Sequence, residues 1–225
     1  IFVLTKVLRK KIIYDFDDAI WLPNFAANNK KYAFIKSYGQ VPYLCKNAYK
    51  LSVGNEHLKE YGLQFNEQVV VNPTTIDTDK YHNKTIDLNY QKTVIGWTGT
   101  HSTLKYVESL LPVYDELSKQ YEFSLMIICD QKPKFTRPYL LYKKWNKKTE
   151  IDDLLNFTVG IMPLLDDKWA KGKCGFKALQ YMSLGIPAMV SPVGVNVKIV
   201  DHELNGWLCD EVSEWKNRTQ QLLSD

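Results

Sequence analysis

The sequence predicts an α/β fold built on a parallel, Rossmann-like sheet. From Lys92 onward, short apolar runs alternate with segments of helical period. The apolar runs Thr93-Val94-Ile95-Gly96-Trp97, Phe123-Ser124-Leu125-Met126-Ile127-Ile128-Cys129 and Phe157-Thr158-Val159-Gly160-Ile161-Met162-Pro163 are near-continuous. Strands covered by helices on both faces read that way. An apolar fraction of 45% with 24% charged residues, over 225 residues, is enough for a real core in one large domain or two small ones.

Taken in order, residues 1–11 read as a short basic amphipathic helix. Lys11-Ile12-Ile13-Tyr14 reads as a strand ending in Asp15-Phe16-Asp17-Asp18. Residues 24–47 are polar and aromatic, helical in part, with Gly39 and Pro42 as interruptions. Tyr49 to Val53 is a strand, followed by a helix closed at Gly62, and Gln68 to Asn72 is a strand running into Pro73. Residues 74–91 lack a clear period and read as linker and surface loop, so the expected domains are 1–71 and 72–225.

In the second domain, Ser102 is placed to cap a helix with apolar positions Leu104, Val107, Leu111 and Tyr114, bent at Pro112. Tyr139 to Tyr142 and Ala188 to Val190 complete a count of about five strands. A short helix runs from Glu150 to Asn156, another lies near 197–202, and a last amphipathic one starts near Glu211. Residues 1–71 hold too few strands for a second complete Rossmann-like domain.

The stretch 171–187 carries the clearest chemistry. Gly172 and Gly175 permit close backbone approach, and a helix starting near Cys174 or Gly175 directs N–H groups at a ligand. Lys173 and Lys177, four apart, share a helix face. These residues make either a phosphate seat or a glycine-flanked helix with solvated lysines. Asp15, Asp17 and Asp18 stand at the carboxyl end of a strand, where open α/β sheets bind ligands; they would bind a metal, accept hydroxyl protons, or cap a turn. Trp97 offers a stacking surface or fills space between layers. His101, Asp166 and Asp167 lie on loops near the same region and read equally as solvated side chains.

Net charge is +4, which suits an anionic small ligand and is too weak to argue for nucleic acid. Cys45, Cys129, Cys174 and Cys209 show neither C-x-x-C spacing nor zinc-like histidines, so a reducing, cytoplasmic setting is expected. No apolar run reaches the length of a membrane span. Lys143, Lys144, Lys147 and Lys148 form a basic patch, either a solvated face or one attracted to anionic lipid. The chain starts at Ile1 rather than Met, and an upstream segment is expected.

The runs Gly160-Ile161-Met162-Pro163-Leu164, Lys171 to Lys177, Gln180 to Pro187 and Ser191 to Asn196 resemble the C-terminal domain of group 1 (family 4) glycosyltransferases. Asn205-Gly206-Trp207-Leu208 and Pro73-Thr74-Thr75-Ile76-Asp77 resemble two further motifs of that family. The likeness covers roughly residues 12–223 and is most specific over 157–208. It implies GT-B architecture: a C-terminal Rossmann-like domain holding a nucleotide-sugar donor, and the trailing part of an N-terminal α/β domain on the acceptor side. It implies transfer to a saccharide or lipid-linked acceptor, with retention and without metal or other cofactor. The inner face of the cell membrane becomes a plausible place of work.

Donor-binding residues expected from the resemblance are Gly96, Thr98, Gly99, Thr100, Lys173, Cys174, Gly175, Phe176, Lys177 and Gln180. Asp15, Asp17 and Asp18 are the candidate catalytic acids. The family's paired glutamates fall at Gly172 and Gln180, and neither is Glu; Trp97 and Ser102 stand where the family often has Arg and Lys. These departures keep a non-catalytic sugar-nucleotide-binding relative in view, and the 225 residues alone are expected to be inactive. Ile12-Ile13-Tyr14-Asp15-Phe16-Asp17 also resembles the first motif of haloacid-dehalogenase-like Mg-dependent phosphatases, although Ala19 stands where they have Thr. Asp15-x-Asp17 also suits a metal-dependent glycosyltransferase of the other major fold.

Overall fold

The computed structural model describes residues 8, 10–22, 39–87 and 92–224. Most of the helix expected over 1–11, and the first part of the 24–47 segment, lie outside the described residues. The chain divides into two compact units. The first takes residues 1–74 together with 166–174, and the second takes 75–165 and 175–225. The sequence reading cut the chain once, near residue 72; the structure also assigns the segment 166–174 to the first unit.

In the first unit, β1 (Ile13–Phe16), α1 (Gln40–Asn47), β2 (Lys50–Val53), α2 (Glu56–Leu63) and β3 (Val69–Val71) follow one another. The strands form a parallel sheet in the order β1-β2-β3, with Phe16 opposite Val53 and Val53 opposite Val71. Phe16, Val41, Cys45, Leu51, Val53 and Leu58 make its core. Pro42 does not interrupt α1. It sits in the first turn, where backbone N–H groups have no intrahelical acceptor and a missing one costs little.

Asn55 does two jobs in this unit. Its Oδ1 accepts from Leu58 N–H at 2.9 Å and caps α2. Its Nδ2 lies 3.1 Å from the Gly172 carbonyl and 3.2 Å from that of Lys173. The side chain is buried, at 3% exposure, so removing it orphans groups that water does not reach. Asn55→Ala is expected to cost about 2–3 kcal/mol, a lost cap plus unsatisfied carbonyls, read as a lower urea midpoint.

The second unit begins with β4 (Val94–Gly99). A 3₁₀ turn over His101–Thr103 leads to α3 (Leu104–Glu108), then α4 (Leu111–Leu117), β5 (Ser124–Cys129), β6 (Leu140–Lys144), α5 (Glu150–Leu154) and β7 (Val159–Met162). The single turn α6 (Lys168–Lys171) belongs to the first unit. After it come α7 (Phe176–Ser183), β8 (Ala188–Val190), α8 (Asn196–Ile199), β9 (Gly206–Leu208) and α9 (Val212–Ser224).

The helix expected from Ser102 is broken in two. Ser102 lies in the 3₁₀ turn, with its hydroxyl 2.9 Å from that of Thr100, and Pro112 starts a new helix instead of bending an old one. The apolar spacing of Val107, Leu111 and Tyr114 runs across the break, and all three are buried.

Six parallel strands make the sheet, in the order β6-β5-β4-β7-β8-β9. Numbered within the unit this is 3-2-1-4-5-6, with the strand order reversing between β4 and β7. The sixth strand, Gly206–Leu208, goes beyond the expected five. The strand residues alternate between two cores: Leu125 and Ile127 face one with Tyr114 and Trp215, while Ile128 faces the other with Leu154, Phe157 and Tyr181. Helices therefore cover both faces, which is why these runs are apolar throughout. Among the described residues, no helix is long and apolar enough to cross a membrane.

Candidate functional site

At the seam between β4 and β7, Gly160 has no side chain, and the Tyr181 ring fills the space where a Cβ would stand 2.3 Å from it. The Tyr181 hydroxyl accepts from Thr98 N–H at 3.2 Å and donates to the Ile161 carbonyl at 3.4 Å. Full burial pushes this phenol far above its ordinary pKa, so it stays a neutral donor and acceptor. One side chain of α7 thus fixes the carboxyl ends of two strands.

In front of that seam lies a cleft of about 370 Å³. Thr98, Gly99 and Thr100 from the end of β4 line one part, and Phe176, Lys177 and Gln180 from α7 another. Asp130, Trp145 and Glu150 complete the wall. Gly175 opens α7 from the left-handed region, φ 71°, and a Cβ there would meet the Ile199 Cδ1 at 2.2 Å. The first intrahelical bond runs from Leu179 N–H to the Gly175 carbonyl at 3.1 Å, so the amides of residues 176–178 precede it. The Lys177 ammonium lies 5.9 Å from the ring centroid of Trp97.

The structure brings six of the ten expected donor-site residues to one cleft: Thr98, Gly99, Thr100, Phe176, Lys177 and Gln180. Gly96 is buried in mid-strand, and a Cβ there would lie 2.0 Å from the Phe157 ring. Trp97, at 1% exposure, packs in the core.

Lys173 and Cys174 belong to the first unit. Lys173 Nζ sits 2.9 and 2.8 Å from the two carboxylate oxygens of Asp18, and Cys174 Sγ donates to the Asp17 carbonyl at 3.1 Å. Burial, then the nearby Asp17 carboxylate, push the Cys174 thiol up to about 11. A Cβ at Gly172 would lie 2.8 Å from the Ala19 Cβ and 2.9 Å from the Ala19 backbone nitrogen. Asp15 and Asp17 are exposed. Asp167 caps α6 by accepting from Ala170 N–H at 2.7 Å, and Asp166 pairs with Lys171 at 3.0 Å.

Three wall residues escaped the sequence reading as site residues: Asp130, Trp145 and Glu150. Asp130 Oδ1 accepts from His101 N–H at 2.7 Å, and Oδ2 lies 2.7 Å from His101 Nδ1. Partial burial pushes this carboxyl up, but the His101 ring and backbone hydrogen bonds outweigh it and hold the group below its usual range. The one available signal was position, since Asp130 directly follows a buried strand. Among the described residues, no three His, Cys, Asp or Glu side chains come together as a metal centre requires.

The strand order and the cleft at its reversal define a Rossmann-like domain of the GT-B type. Residues 92–225, more than half of the chain, match the family described as glycosyl transferases group 1, and the chain belongs to that family. No curated protein matches the sequence.

Among solved structures, TarM of S. aureus, in complex with fondaparinux, alpha-GlcNAc-glycerol and UDP, superposes with a TM-score of 0.71 at 14% identity, over 99% of this chain and 47% of that one. HepE of Anabaena, in complex with UDP and glucose, gives a TM-score of 0.69 at 15% identity, over 99% and 64%. The sucrose-phosphate synthase of Thermosynechococcus elongatus gives 0.66 at 12% identity, over 100% and 62%. At such identities the likeness is one of fold. The chain spans less than two thirds of the length of these structures.

Proposed function

We propose that the complete protein transfers a sugar from a nucleoside-diphosphate-sugar donor to a saccharide or lipid-linked acceptor, with retention and without metal, in polysaccharide synthesis. The observation that carries this reading is the cleft at the strand reversal of a group 1 domain, where Lys177, the Thr98 and Thr100 hydroxyls and the amides opening α7 converge. Together these suit a diphosphate. As the glycosidic bond breaks, negative charge builds on the leaving diphosphate. A fixed ammonium and fixed dipoles stabilise that state more than the bound ground state. Gln180, held at the wall, meets a ribose hydroxyl, and the exposed Trp145 offers its ring to the base. The UDP and glucose bound in HepE support a donor of this class. On the acceptor side, Asp15 and Asp17 offer exposed carboxylates, while Asp18 is committed to Lys173. Exposed Lys144, Lys147 and Lys148 suit peripheral contact with anionic lipid at the cytoplasmic face of the membrane.

A panel of UDP-, GDP-, ADP- and dTDP-sugars tests the donor assignment by thermal shift. One base is expected to raise Tm by about 5 °C when its donor is present at roughly a hundred times Kd. No shift with any of the four overturns the reading. One observation favours a second reading, a sugar-nucleotide-binding relative without turnover: there is no room for an acid at Gly172. Product formation by the complete protein would exclude it.

A further inference from the structure

The wall of the cleft contains a partly buried polar network that the donor assignment does not explain. Gln180 is 1% exposed. Its Nε2 lies 3.3 Å from Glu150 Oε1 and 3.3 Å from His82 Nε2. Trp145 Nε1–H donates to the same Glu150 oxygen at 3.0 Å, and the Tyr81 hydroxyl donates to Glu150 Oε2 at 3.0 Å. Burial, and then the Glu150 hydrogen bond, push Tyr81 above its ordinary pKa, which keeps it a donor.

An ionised carboxylate only accepts, so the Gln180 atom that faces it must be the NH₂ group. The same nitrogen faces His82 Nε2. The amide carbonyl, Oε1, finds no partner among the described residues, and Gln180 lines the cleft.

We propose that Glu150 is a positioning residue: it locks the Gln180 amide so that the carbonyl oxygen serves the cleft as a hydroxyl acceptor, and thereby sets the preference for a ribose over a deoxyribose nucleotide. The ribose half of this proposal rests on the donor reading above; the lock itself does not. The lock also accounts for an amide at 180. A glutamate there would set two carboxylates about 3.3 Å apart, as in the present Gln180–Glu150 pair.

The test uses the whole 225-residue chain with UDP and GDP, and with their 2′- and 3′-deoxy analogues, by isothermal titration. Wild type is expected to prefer the nucleotide that carries the recognised hydroxyl about tenfold, one hydrogen bond's worth. In Glu150→Ala this preference falls to about unity, and Gln180→Glu weakens binding about tenfold or more. The exchange Glu150→Gln with Gln180→Glu does not restore either, because the atom that would donate to residue 180 must also accept from Trp145 Nε1–H. A loss of packing alone would weaken all nucleotides equally and leave the preference for the recognised hydroxyl in place.

Side-chain ¹⁵N NMR of Gln180 reads the lock without ligand. Two well-separated amide proton shifts in wild type are expected to draw together in Glu150→Ala. Unchanged shifts, or an unchanged ribose preference in Glu150→Ala, overturn the proposal. If the shifts change but wild type binds neither UDP nor GDP, the ribose half falls while the lock stands, and the four-nucleotide panel decides the donor reading.

Discussion

Lys177→Ala is expected to weaken UDP or GDP binding about 30-fold, and Lys173→Ala less than about threefold, by isothermal titration. The two lysines are four residues apart, and by sequence they belong to one phosphate-binding face. The structure separates them at Gly175: Lys177 is on α7 beside the cleft, and Lys173 is held at two points by Asp18 in the first unit. Lys177 lines the cleft and Lys173 does not, so losing Lys173 takes no charge from the cleft wall. The reverse ranking would move the phosphate seat onto residues 171–174. The Lys173 pair predicts a second effect as well. Its loss leaves the partly buried Asp18 carboxylate without its cation, so Lys173→Ala lowers stability more than it lowers affinity.

Gly96→Ala is expected to destabilise the second unit by about 3 kcal/mol, visible as a lower urea midpoint. The added Cβ would stand 2.0 Å from Phe157 Cγ and 2.1 Å from both Cδ atoms, and Phe157 is fully buried. Phe157→Leu alone costs about 1–1.5 kcal/mol, since it removes ring volume from a dense core. Combined, the two changes should cost less than their sum, because the smaller side chain leaves room for the new methyl. Strict additivity would mean that the overlap is relieved by backbone movement. This glycine was expected to serve the donor, but its position in the strand gives it a packing role.

Buried parallel strands leave a local mark, because covering both faces forces continuous apolar runs, and β4, β5, β7 and β8 were legible for that reason. β9 was not, since a three-residue strand that starts on the glycine of Asn205-Gly206 carries no period. The split between α3 and α4 was also hidden, because the apolar spacing continues through it. Pro42 reads as a break and Pro112 as a bend, although both occupy first turns where proline is harmless. The α7 end of the cleft was legible because Phe176, Lys177 and Gln180 lie on one short helix that opens at a glycine. Glu150 was not. Its partners are Tyr81, Trp145 and Gln180, and only the fold brings residues that distant in sequence to one carboxylate. The assignment of residues 166–174 to the first unit was likewise invisible, because it depends on Asn55 and Asp18 far upstream.

The surroundings of Gly172 limit which side chains the protein can carry there. The atoms nearest its missing side chain include the backbone nitrogen of Ala19 at 2.9 Å and the carbonyl of Trp169 at 3.2 Å. Trimming a neighbouring side chain does not clear main-chain atoms, so Ala19→Gly does not make room for glutamate at 172. Glutamate at 172 therefore requires the main chain around Ala19 or Trp169 to move, and sugar transfer by this protein would have to proceed without an acid at that position.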